Sequence, residues 1–109
     1  MISIDEFSKI EVKVGTVQTA ERVPETDKLL RLIVDFAEET GPRQIISGIN
    51  MYVNEPEDLI GCQLAFVTNL EPRTIKGLES NGMLFAAGNA ETFAFLTPDR
   101  QVPPGTAAH

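Results

Sequence analysis

The chain is poor in the residues that enzymes use to move protons or hold metals. It has one histidine and one cysteine in 109 residues. The histidine is His109, the last residue, where chains are usually mobile, so it is not a candidate ligand or base. A single cysteine forms no intrachain disulfide. Cys62 follows Gly61 and opens an apolar run, the place of a small buried residue rather than a reactive thiol. No HExxH, CxxC, glycine-rich phosphate loop or EF-hand pattern occurs. Ser80-Asn81-Gly82 looks like part of a nucleophile elbow, but Leu78 stands where that motif needs glycine, and no internal histidine exists to serve a serine. Glu55, Glu57 and Asp58 read as the acidic start of a short helix, which the helix dipole favours. The chain is therefore expected to be non-catalytic, with no metal site and no cofactor. Long apolar runs are missing too. None approaches the ~20 residues of a membrane span, and the start, Met1-Ile2-Ser3-Ile4-Asp5-Glu6, is not a signal peptide. A cytoplasmic protein with no membrane partner is expected.

Positive charge is scarce: 9 Lys and Arg against 16 Asp and Glu, a net charge of -7. A nucleic-acid binder is normally basic, and bulk repulsion weakens binding and steepens its salt dependence. The distribution leaves room for a local exception. Twelve acids precede Gly61, and only Glu71, Glu79, Glu91 and Asp99 follow it. A basic face can form around Lys28, Arg31, Arg43, Arg73 and Lys76.

What the chain does have is a series of short strand signals in a single domain, residues 1–109. Ser3 to Ile10 reads as a helical lead-in, with Ser3 and Glu6 spaced as a capping box and Phe7 and Ile10 on one face. It is too short to stand alone and must pack on something. In IEVKVGTVQTA, Val12 and Val14 alternate before the phase flips at Val17, which predicts a β-bulge at Gly15. LLRLIVDF is a strong strand with Leu30, Leu32, Val34 and Phe36 inward and Arg31 outward. A turn at AEETGP makes a hairpin into RQIISGI. Asn54 to Leu59 reads as one helical turn capped by Asn54 and stopped at Gly61. CQLAFVTNL is a fourth strand. GMLFAAG is a fifth, apolar enough to be buried on both faces. Residues 91–96 add a short strand, and VPPGTA a stiff non-helical end. Five short strands with a helix between the third and fourth predict an all-β fold, a five-stranded Greek-key OB-fold barrel with short helices at the N-terminus and between strands 3 and 4.

The stretch Asn69 to Met83, NLEPRTIKGLESNGM, reads as a turn-rich connector leading into the fifth strand. With IEVKVGTV at 10–17, AERVPETDKLLRLIVDF at 20–36, RQIISGI at 43–49 and VPPG at 102–105, it resembles the tRNA-binding OB-fold family across nearly the whole chain. The DKL, SGI, NLxPR and SxGM elements stand in the family's order and spacing. Members of that family are appended to methionyl-tRNA synthetases, inserted in the phenylalanyl synthetase β chain, or free-standing, and a close relative is a bacterial export chaperone. The resemblance implies binding of folded tRNA by shape and backbone contact, a homodimer, and an aminoacyl-tRNA synthetase as a further partner. The chain's extent favours a free-standing protein.

Carried over by position, the resemblance gives Lys28 a phosphate contact and Asn69 a role in holding the loop or bonding RNA. It makes Arg73 and Lys76 the basic positions of the loop. Ser80 becomes a donor to phosphate or a 2′-hydroxyl, and Met83 an apolar contact to base or ribose. Arg31 completes the predicted RNA-binding set. The chain departs from the family pattern at Glu71, Asn81 and Val23, and its basic patch is thin. Two other readings stand beside tRNA binding: an export-chaperone-like dimer holding peptide in an apolar groove, and a synthetase docking or dimerisation module without RNA binding.

Overall fold

The computed structural model describes all residues, 1–109. Ser3 starts the first element as expected. Its hydroxyl accepts from the Glu6 N–H while the Glu6 carboxylate accepts from the Ser3 N–H. The resulting helix, α1 (Ile4–Phe7), is one turn long and buries none of its residues. It is anchored from behind. The Asn69 side-chain amide donates to Lys9 O at 2.6 Å, and its carbonyl accepts the Glu11 N–H at 2.8 Å.

The strands are β1 (Val12–Arg22), β2 (Leu30–Asp35), β3 (Arg43–Ser47), β4 (Gln63–Val67), β5 (Arg73–Ile75), β6 (Leu78–Ser80), β7 (Met83–Leu84), β8 (Ala86–Ala87), β9 (Ala94–Phe95) and β10 (Ala107–Ala108). The main sheet runs β3-β2-β1-β4-β7 and is antiparallel throughout, with β10 added on β1. It curls into the expected five-stranded, nearly closed OB-type barrel. Strand alternation in β2 sends Leu30, Leu32 and Val34 inward, each 0% exposed, against Val17, Ile45, Leu64 and Phe66. Phe36 meets Phe66 edge to face at 5.5 Å. Each such buried side chain contributes about 1.5–3 kcal/mol of transfer free energy.

β1 serves both halves of the barrel. Residues 12–16 pair with β4 and residues 16–22 with β2. The predicted bulge is one of the sequence expectations that needs correcting. The β4 register runs unbroken through Gly15, and the shift falls between Val17 and Thr19, opposite β2. Gly15 is glycine for another reason: a Cβ there would sit 2.6 Å from Phe36 Cε1 and press on Val34 Cγ1.

Three further expectations change. The connector between β3 and β4 is two 3-10 turns, Asn50–Tyr52 and Pro56–Leu59, and Asn54 caps neither; Pro56 starts the second by fixing its own φ. The fifth strand is not buried on both faces. It breaks into β7 and β8, and Met83 and Phe85 are exposed, because only two of its residues pair with β4 and nothing covers its outer side. The C-terminal segment is not merely stiff: Ala107 and Ala108 pair with Lys13 and Val12.

Closure between β3 and the β6–β7 segment depends on side chains. The Ser80 hydroxyl accepts the Ile46 N–H and donates to Gly82 O, each at 3.0 Å. Gln44 Nε2 donates to Glu79 O at 2.9 Å, and the Asn81 N–H donates to Gln44 O at 2.8 Å.

Candidate nucleic-acid interface

The predicted connector contains a hairpin that sequence reasoning missed. β5 and β6 pair from Arg73–Ser80 to Ile75–Leu78, leaving Lys76 and Gly77 as a two-residue turn. Both have positive φ, 51° and 79°, the type I′ signature. Lys76 pays for a left-handed backbone, on the order of 1–2 kcal/mol in a non-glycine residue, and is thereby fixed at the hairpin tip. The signal was present as a Lys-Gly pair between two short β-capable triplets, RTI and LES.

The tip faces the loop that enters β2. Lys28 and Lys76 line one cleft of about 340 Å³ together with Glu25, Thr26 and Asp27. Leu29 and Ile75 are shared with an adjoining cleft of about 320 Å³ that holds Arg73 and Glu71. The Lys28 loop is held from β3's far end. Asn50 donates its N–H to Lys28 O and its Nδ2 to Asp27 O, both at 3.0 Å, and accepts Arg22 Nε at 3.0 Å. Three cations from two distant segments thus meet around adjoining clefts. None of them has a carboxylate partner, since the ion pairs of the chain are Lys13–Glu11, Arg31–Glu21 and Arg43–Glu38. The carboxylates of Glu25, Asp27 and Glu71 temper the local field.

The remaining predicted residues divide. Arg31 is held on the outer face of β2, donating to Gln44 Oε1 at 2.7 Å and to Glu21 at 2.5 Å, so its charge is already partnered. Asn69 uses both ends of its amide on the backbone of Lys9 and Glu11, tying the segment between α1 and β1 to the loop after β4. Ser80 is 3% exposed with its hydroxyl bonded on both sides, so the expectation of a direct phosphate or ribose contact gives way to barrel closure. Met83 is 40% exposed and forms a wall of the Arg73 cleft.

Arg43, included in the basic face on composition, is also spoken for. Its guanidinium grips Glu38 with both forks at 2.8 and 2.7 Å, donates to Thr68 O at 2.7 Å and lies 5.4 Å over the Phe36 ring. The hydrogen bonds from Arg43 hold the Glu38 carboxyl below the usual glutamate range, and those to Glu38 raise Arg43 further. Glu11 is lowered mainly by the hydroxyl of Thr68, which donates to it at 2.6 Å.

A separate apolar groove of about 410 Å³ shares no residue with these clefts. Val12 and Val14 from β1 line it with Phe85, Leu96 and Val102. No helix of the chain is long and apolar enough to cross a membrane.

Residues 12–107 match the family described as "Putative tRNA binding domain". The chain belongs to the tRNA-binding-domain family. Among its relatives is a methionine–tRNA ligase of Methanosphaerula palustris, 50% identical over 106 residues; the match covers 97% of this chain and 15% of the ligase. The chain thus spans about a seventh of the length of the curated relatives it matches. A solved structure of a methionyl-tRNA-synthetase-related protein from Pyrococcus horikoshii superposes with a TM-score of 0.90 at 37% identity, covering 100% of this chain and 98% of that one. The chaperone CsaA of Bacillus anthracis superposes with a TM-score of 0.86 at 31% identity, covering 100% and 99%. Both branches of the family named from the sequence are therefore represented among this domain's structural neighbours.

Proposed function

We propose that this domain binds folded tRNA in the cytoplasm, through shape and backbone contacts and without catalysis. It works as a homodimer, either alone or alongside an aminoacyl-tRNA synthetase. The carrying observation is the gathering of Lys28, Arg73 and Lys76, none in an ion pair, around two adjoining clefts. Cations without partners keep their charge for phosphate, whereas Arg31 and Arg43 each carry an ion pair within the fold. Folded RNA is read largely through backbone shape, which suits a thin patch with few base-reading groups. The match to the family and the methionine–tRNA ligase relatives support the same reading.

The test is binding of unfractionated tRNA at low and near-physiological salt, with an unstructured oligonucleotide as control. Three phosphate contacts give a log–log salt slope of roughly -2 to -3. The double substitution Arg73→Glu and Lys76→Glu is expected to remove about two units of that slope and at least tenfold in affinity, with the fold intact. Unchanged affinity would sink the site assignment.

The apolar groove favours one rival, peptide binding, which suits a chaperone such as the neighbour from Bacillus anthracis is named to be. Binding of apolar peptide there would be insensitive to salt. The same groove, with exposed Phe7, Ile10, Phe85 and Leu96, supports the dimer, since a second copy would cover surface that one chain leaves open. A protein that binds neither tRNA nor peptide would be left with synthetase docking.

A further inference from the structure

The Arg73 cleft has a composition that phosphate contact does not explain. Its walls are Leu29, Leu70, Ile75 and Met83. Leu70 and Met83 are 47% and 40% exposed, large apolar groups open to water beside an unpaired guanidinium. Glu71 lies at the same cleft and makes no hydrogen bond or ion pair. At about 320 Å³ the space is at the small end of ligand pockets, in keeping with a small ligand group rather than a large one. Apolar walls, one cation and one free carboxylate match the three parts of a nucleotide: a π-face to be covered, a phosphate, and an edge of N–H donors.

We infer that this cleft holds one unstacked nucleobase of the bound RNA, guanine in preference to the other three. The base slides between Met83 and the Leu29–Ile75 wall. Arg73 takes its phosphate. The Glu71 carboxylate accepts from the guanine edge, whose N1–H and N2–H point the same way and suit two oxygens of one carboxylate. Adenine and cytosine each offer that carboxylate one amino donor beside a ring-nitrogen acceptor, and uracil one N3–H between two carbonyl acceptors, so none of them presents two parallel donors. Glu71 therefore acts as a reader of base identity rather than as an intruder in a basic patch. The inference rests on the RNA binding proposed above.

The test follows the Met83 methyl by ¹³C NMR while the protein is titrated with GMP, AMP, CMP or UMP at matched ionic strength, with the methyls of Met1 and Met51 as internal controls. Folded-tRNA affinity is measured on the same samples. The Met83 shift is expected to saturate with GMP at a concentration roughly tenfold below the others. Glu71→Gln should abolish that preference, because an amide pairs with only one of the two donors. Glu71 is exposed and unpartnered, so the variant is expected to fold normally. If tRNA binds but Met83 responds to no nucleotide, or to all four equally in both proteins, the inference is overturned and the tRNA reading stands. If Met83 responds to an apolar peptide and to no nucleotide, the cleft is a peptide site and the inference fails. A protein that binds no tRNA at any salt overturns both.

Discussion

Ser80→Ala separates a residue that would itself touch RNA from one that builds the surface proposed to bind it. The substitution removes one hydroxyl with two jobs. The Ile46 N–H loses its acceptor at 3.0 Å, and the hydroxyl's own bond to Gly82 O, also 3.0 Å, is lost. Ser80 is 3% and Ile46 5% exposed, so water does not replace the partner freely. A buried N–H left without an acceptor costs about 1–3 kcal/mol, and the second bond adds about 0.5–1.5. The expected loss is therefore about 2–4 kcal/mol. For a domain of this size that corresponds to a fall in Tm of roughly 8–20 °C. The assay is thermal unfolding followed by circular dichroism, paired with tRNA binding well below the variant's Tm. Binding should fall severalfold at most, through a loosened β6–β7 turn, and recover on cooling. A variant that keeps its Tm within about 3 °C and loses tRNA binding outright would refute the closure role and restore the direct contact.

Three other outcomes follow from the geometry. Gly15→Ala should destabilise the barrel by about 1–3 kcal/mol or prevent folding, because its methyl meets the rings and methyls of buried Phe36 and Val34; chemical denaturation checks this, and a neutral result would mean β1 can shift. Arg43 depresses the folded-state pKa of Glu38 relative to the unfolded chain, so this pair adds stability above about pH 4.3, and that gain is lost as the pH falls through the lowered value. Tm against pH for wild type and Glu38→Gln should therefore differ at neutral pH and converge in acid; a constant gap would show that the pair is not the cause. Phe85→Glu should turn the proposed dimer into a monomer by sedimentation, with the Tm of the monomeric barrel little changed, since Phe85 is 45% exposed in the single chain.

The barrel was legible where one side of a strand faces the core. The alternation of Leu30, Leu32, Val34 and Phe36 leaves a single inward register, and Ser3 and Glu6 announce α1 by their spacing alone. It was less legible where a residue's neighbour comes from far along the chain. The glycine at 15 is set by the size of Phe36, not by the local phase of β1, and the local phase pointed to a bulge two or three residues too early. The apolar run from Met83 to Ala87 looked doubly buried because sequence records hydrophobicity but not which partner, if any, covers it. The site showed the same division. Lys28, Arg73 and Lys76 were nameable from the sequence, but their free state depends on which carboxylates the fold assigns to Arg31, Arg43 and Lys13. Ser80 and Asn69 were legible as motif positions, while their structural work needed the β3 and α1 backbones beside them.

The pairing of Val12 with Ala108 has a consequence for how the barrel can be carried. The strand that opens the barrel and the strand that closes it lie side by side, about 4.8 Å apart in the hydrogen-bonding direction. A host polypeptide could run into the barrel and out again along neighbouring strands. The domain can thus be tethered by its front, its back or both, like a bead knotted on a string.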